Sequence, residues 1–119
     1  MKKNVVKQKS YAFALEVIKL YKLLVSEQRE YVLSKQLLRS GTGIGALIVE
    51  AEHAQSKADF LHKMNIALKE ANETLYWIDL LKDSGYITLQ KHLHIYSLSD
   101  ELISLLVSIV KTTKSKLKN

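Results

Sequence analysis

The 119-residue chain has no cysteine, no proline and only four glycines. Without cysteine it can build neither a disulfide framework, nor a thiolate-ligated metal site, nor a cysteine nucleophile. Without proline, and with Gly41, Gly43 and Gly45 gathered in "RSGTGIGA" (39–46), few places remain where a helix must break, and long helices are expected. No serine stands in a G-x-S-x-G context, so a nucleophile elbow is excluded. The start, MKKNVVKQKS, lacks the apolar core of a signal peptide. The longest strongly apolar stretch, LISLLVSIV at 102–110, carries two serines and falls short of the roughly 20 residues that a membrane span needs. The expectation is a cytoplasmic protein with no transmembrane helix and no membrane partner. Hydrophobic residues make up 47% and charged residues 25%, a globular balance that predicts one folded domain over 1–119.

The net charge of +6 becomes informative once it is located. Lys2, Lys3, Lys7 and Lys9 sit in the first fifteen residues with no acid, and Lys111, Lys114, Lys116 and Lys118 close the chain with no acid after Glu101. Between residues 16 and 101, twelve acidic side chains outnumber ten basic ones. The body is slightly acidic and the basicity terminal.

Hydrophobic periodicity divides the chain into four helices. The first covers about 5–26, with Tyr11, Leu15, Ile18 and Val25 along one stripe and Phe13, Val17, Leu20 and Leu24 along another. That apolar surface is wider than one seam requires. EQRE (27–30) reads as a connection, and a second helix covers about 32–54. The third is signed at both ends: Ser56 with Asp59 forms a capping box, and Gly85 stops the helix after Lys82. Along it Leu61, Met64, Leu68, Ala71, Leu75 and Ile78 alternate by three and four. The fourth covers about 89–113 with Leu98, Leu102, Leu105 and Ile109. Four helices with short connections predict an all-α fold, an antiparallel up-down-up-down four-helix bundle. In that topology the two lysine-rich ends meet.

Three chemistries compete for the distinctive residues. Gly41, Gly43 and Ala46 fit G-x-G-x-x-G/A, but the preceding YVLSKQLL reads as helix rather than strand, and no G-K-[ST] follows. Phosphate binding there lacks its structural context. The glycines, with Ala46, read instead as a helix-packing surface that lets another helix approach, within the bundle or between subunits. A kink or break is the alternative. Glu50 with His53, and Asp59 with His62, imitate the Glu-x-x-His element of di-metal bundles. Both lie beside one turn, where exposed polar residues are the plainer reading, and His92 and His94 point to different faces. Neither a metal nor a cofactor is assigned, nor any catalytic residue: the chain is read as a non-enzyme. The eight terminal lysines are candidates for neutralising phosphates of RNA or DNA, with Tyr11 near enough to stack on a base. Frayed, solubilising tails are the alternative.

The segments "SYAFALEVIKLYKLL", "KQLLRSGTGIGALIVEA", "AQSKADFLHKMNIALKEANETLYWIDLL" and "SGYI", in this order and spacing, resemble the four-helix-bundle proteins encoded in intervening sequences of bacterial 23S ribosomal RNA genes. Members typically read Ser-Ile-Gly-Ala-Asn where this chain reads Gly43-Ile44-Gly45-Ala46-Leu47, so any polar contact of that Asn is lost at Leu47. The resemblance implies an antiparallel bundle that associates, commonly as a homopentamer. It also places the chain near the accessory variability determinant of diversity-generating retroelements, which implies a reverse transcriptase and nucleic acid as partners. A protein-interaction scaffold is the alternative reading.

Overall fold

The computed structural model describes residues 3–118. Among them it contains four α-helices and no strand: α1 (Lys3–Ser26), α2 (Leu33–Glu52), α3 (Lys57–Asp83) and α4 (Leu89–Lys118). The first three agree with the periodicity to within about two residues. α4 runs five residues further than Thr113, because KSKL contains nothing that stops a helix.

The helix ends follow from local chemistry. At the start of α3 the Asp59 N–H donates to Ser56 Oγ at 3.0 Å, and Asp59 Oδ2 accepts from the Gln55 N–H at 3.2 Å, one residue before the usual capping-box partner. At its end Gly85 has φ of +86°, and the Gly85 and Tyr86 N–H groups donate to the carbonyls of Lys82 and Leu81 at 3.0 and 2.9 Å. The chain thereby reverses with its last carbonyls satisfied. EQRE is more than a connection. Glu30 is buried, and its carboxylate accepts from the N–H groups of Val32, Leu33 and Ser34 at 3.2, 3.0 and 2.6 Å, capping α2 from outside the helix. Burial of that carboxyl raises its pKa, but the Leu33, Ser34 and Val32 amides and the Ser34 hydroxyl outweigh it and hold the pKa below the usual carboxylate value.

Around one ring α1 packs on α2, α2 on α3, α3 on α4 and α4 on α1, with the α1–α4 contact the thinnest. The body measures 51 by 23 by 21 Å. Phe13, Val17 and Leu24 from α1 meet Leu37 and Ile44 from α2, Met64, Ile78 and Leu81 from α3, and Leu102 and Leu106 from α4, all buried. Of the two α1 stripes, then, the one through Phe13 and Val17 forms the core. Tyr11 stays 68% exposed and Leu15 49%. On α3 the buried line runs through Met64, Ala67, Ala71, Thr74, Ile78 and Leu81, and the expected Leu61, Leu68 and Leu75 are half-buried beside it. Leu47 is half-buried and makes an apolar contact with the core.

By length and composition α4 is apolar enough to cross a membrane, which corrects the expectation that no segment reaches that length. Only 28% of its apolar window is buried inside this fold. The core therefore leaves much of the apolar surface of α4 unused.

Candidate nucleic-acid interface

Val110 is the last buried residue of α4. Two helical turns continue beyond it, and Lys111, Lys114, Lys116 and Lys118 are all exposed there. Lys111, Lys114 and Lys118 are spaced by three and four, so they share one face, and Lys116 lies on the opposite side. Among the described residues none of these four takes part in an ion pair.

Lys116 borders a cavity of about 1030 Å³ at this end of the molecule, together with Val6 of α1, Ile48 of α2, and Lys57 and Phe60 of α3. The start of α1 and the end of α4 thus face the same space. The α1 lysines behave differently from those of α4. Lys7 pairs with Glu52 at 3.0 Å and Lys9 with Glu101 at 3.0 Å, so two of the candidate phosphate ligands already have carboxylate partners. Lys2 and the side chain of Lys3 lie outside the described residues. Lys57, which the terminal lysine count passes over, stands at the same end. Its position after the α2–α3 turn was the signal, since an alternating bundle places that turn beside the chain ends.

The glycine stretch lies inside α2, which runs unbroken through it. A Cβ at Gly41 would stand 2.8 and 2.9 Å from the two γ-methyls of buried Val17 on α1. At Gly45 it would stand 3.4 Å from Ser10 Oγ, and at Gly43 3.6 Å from Glu70 on α3. α1 thus meets α2 tightly at Gly41 through the Val17 side chain, and at Gly45 with its own backbone, the Ser10 carbonyl oxygen lying 3.6 Å from that Cβ position. Ala46 is exposed and borders an open groove with Tyr11, Ala14 and Val49.

The Glu-x-x-His imitations serve other ends. Glu50 pairs with Lys63 at 3.4 Å, Asp59 caps α3, and His53 and His62 are exposed. Among the described residues no group of three or more His, Asp or Glu gathers to hold a metal ion. The two α4 histidines reach different neighbours: buried His92 Nε2 lies 2.8 Å from Asp79 on α3, and His94 Nε2 lies 3.2 Å from Glu16 on α1. The Lys19 ammonium first, and His94 after it, hold the Glu16 carboxyl below its usual range despite some desolvation. Arg39 of α2 bridges to Glu70 and Glu73 of α3, and Glu73 also accepts from the Trp77 indole N–H at 3.0 Å. The His92–Asp79, His94–Glu16 and Arg39 contacts join neighbouring helices.

A family model described as 23S rRNA-intervening sequence protein matches residues 2–108. The chain is similar to the crystal structure of a protein of unknown function from the S23 ribosomal protein family of Bacteroides thetaiotaomicron VPI-5482. The two share 59% identity and a TM-score of 0.91, over 93% of this chain and 99% of that one. No curated protein matches the chain.

Proposed function

The chain belongs to the 23S rRNA-intervening sequence protein family, and we propose that it is a non-enzymatic, self-associating helical bundle that binds RNA or DNA through the overhanging basic end of α4. The observation that carries this reading is the row of Lys111, Lys114 and Lys118, exposed beyond the last core layer and without a carboxylate partner among the described residues. The row spans about 10 Å at a rise of about 1.5 Å per residue. Ammonium groups held at fixed spacing on a helix neutralise phosphates without reading bases, so the affinity is independent of sequence and falls steeply with salt. Up-down-up-down topology supports the reading, since it sets Lys57 and Lys116 at one end. The Lys7–Glu52 pair agrees with that topology.

The test is binding of a labelled single strand and a duplex across a salt series. The expected dependence is roughly 0.9 log units of affinity per log unit of salt for each duplex phosphate neutralised. Replacing Lys111, Lys114 and Lys118 by Glu should abolish binding, while Lys7→Gln should leave it nearly unchanged. A flat salt response, or binding that survives the triple substitution, refutes the proposal. The exposed Tyr11, Leu15 and Val49 favour a second reading, a cytoplasmic scaffold for a protein such as a reverse transcriptase. A stoichiometric protein that stays bound after nuclease treatment would choose that reading. The homopentamer implied by the resemblance sets the expected mass in either case.

A further inference from the structure

The cavity at the end of the bundle is too large to be a packing defect. Val6 of α1, Ile48 and Ala51 of α2, Phe60 and Met64 of α3, and Ile109 of α4 border it together, so all four helices give it apolar walls. Native interiors leave few voids larger than a water molecule, whereas this space of about 1030 Å³ matches the upper range of sites that hold small molecules, about 300–1,000 Å³. Local sequence accounts for it. α2 ends at Glu52 and α3 begins at Lys57, and the turn between them brings Ala54 and Ser56 to the cavity, side chains too short to fill it.

Charge at the cavity is one-sided. Lys57 and Lys116 border it, both exposed, and neither takes part in an ion pair among the described residues. Glu52, the carboxylate on the same rim, is already paired with Lys7 at 3.0 Å, and His53 beside it adds a hydrogen-bonding ring. Two ammonium groups are left to meet an anion. The width of the space then limits what carries that anion: a helix with its side chains is about 10–12 Å across, and four helices already fill a cross-section of 23 by 21 Å. An extended alkyl chain fits where a fifth helix does not.

We propose that this cavity binds a free fatty acid, its alkyl chain among Ile48, Phe60, Met64 and Ile109 and its carboxylate held by Lys57 and Lys116. Charge-assisted hydrogen bonds fix the head, and each buried methylene strengthens binding about fourfold. Neither lysine belongs to the row of Lys111, Lys114 and Lys118. The site is therefore separate from the proposed nucleic-acid interface and does not rest on it.

Calorimetric titration of the full chain with octanoate, decanoate and dodecanoate, each below its micelle range, should show affinity rising roughly fourfold per methylene. Dodecyltrimethylammonium, a chain of the same length with the opposite charge, should bind at least about tenfold more weakly than dodecanoate. Lys57→Glu combined with Lys116→Glu should weaken dodecanoate binding by about tenfold or more with unchanged far-UV circular dichroism, since both side chains are exposed. Should that variant lose its fold, the comparison of the two amphiphiles on the wild type decides alone. In spectra of protein labelled with ¹³C at the methionine methyls, the signal of buried Met64, assigned through Met64→Leu, should move as dodecanoate is added. A wild-type chain that takes up no dodecanoate, that binds both amphiphiles alike, or that binds dodecanoate without moving Met64 overturns the proposal. The chain with Lys111, Lys114 and Lys118 replaced by Glu should still take up dodecanoate as the wild type does. If it loses dodecanoate along with nucleic acid, the carboxylate sits on the row and the separate site is refuted.

Discussion

Gly41 is the position where the least chemistry has the largest structural consequence. A methyl group added there would stand 2.8 and 2.9 Å from two carbon atoms of Val17, whereas carbon atoms in good contact sit about 3.5–4.0 Å apart. Val17 is fully buried and β-branched, with one strongly preferred rotamer in a helix, so its methyls cannot swing aside. Two terms of opposite sign decide Gly41→Ala. Alanine in a helix interior gains about 1 kcal/mol over glycine, and overpacking a filled core costs about 1–3 kcal/mol. The net expectation runs from neutral to about 2 kcal/mol less stable. Gly43→Ala has the same backbone gain and an ordinary 3.6 Å contact with Glu70, so it should be about 1 kcal/mol more stable. The difference between the two variants isolates the clash. Val17→Ala alone should cost about 2 kcal/mol by lost burial. Combined with Gly41→Ala it should cost less than the two effects added, because the missing methyls leave room for the new one. Urea unfolding at fixed protein concentration, followed by the fluorescence of Trp77, the only tryptophan, measures all four chains. If Gly41→Ala proves as stable as Gly43→Ala, the account of why α1 and α2 approach so closely is wrong.

Two further substitutions probe the helix ends. Glu30→Gln should destabilise the fold by about 1–2 kcal/mol at neutral pH through the loss of the α2 cap. Because the Glu30 pKa is lowered in the folded chain, its contribution is present in full above the unfolded value of about 4.3 and disappears as pH falls through the folded value. Stability curves of the wild type and of Glu30→Gln should therefore converge in acid, and curves that stay parallel would remove the charge from the cap. Gly85→Ala meets no atom within 4 Å but must adopt φ of +86°, so it should cost about 1–2 kcal/mol by backbone strain alone. A thermal melt that shows no loss would contradict that.

The helices were legible because their signals are local. Ser56, Asp59 and Gly85 state where α3 begins and ends, whereas α1 carries two apolar stripes, and it is the packing that turns the one through Phe13, Val17, Leu20 and Leu24 inward. What the sequence left open depends on contacts between distant residues. Gly41 and Gly45 lie on the same face of α2 and look equivalent in a helical repeat, yet only Gly41 meets a buried β-branched side chain while Gly45 borders an open groove. Lys7 and Lys111 are indistinguishable as charges near chain ends. Packing brings Glu52 to the first and nothing described to the second. Glu30 was hidden for another reason: it caps α2 from three residues before the helix begins, so the usual pattern of a short polar residue directly before the first turn does not find it.

The overhang of α4 couples the basic row to the core like the shank of a screw to its thread. Among the described residues no ion pair fixes the lysines of the last two turns. Their lysines point where they do because the helix is continuous with the layers of Leu102, Leu106 and Val110 beneath them. One residue gained or lost between Val110 and Lys111 would turn the whole row by about 100° and shift it by about 1.5 Å, without altering a single charge. The direction in which the molecule presents its lysines is therefore a property of chain length as much as of composition, and it is transmitted from the core rather than built at the tip.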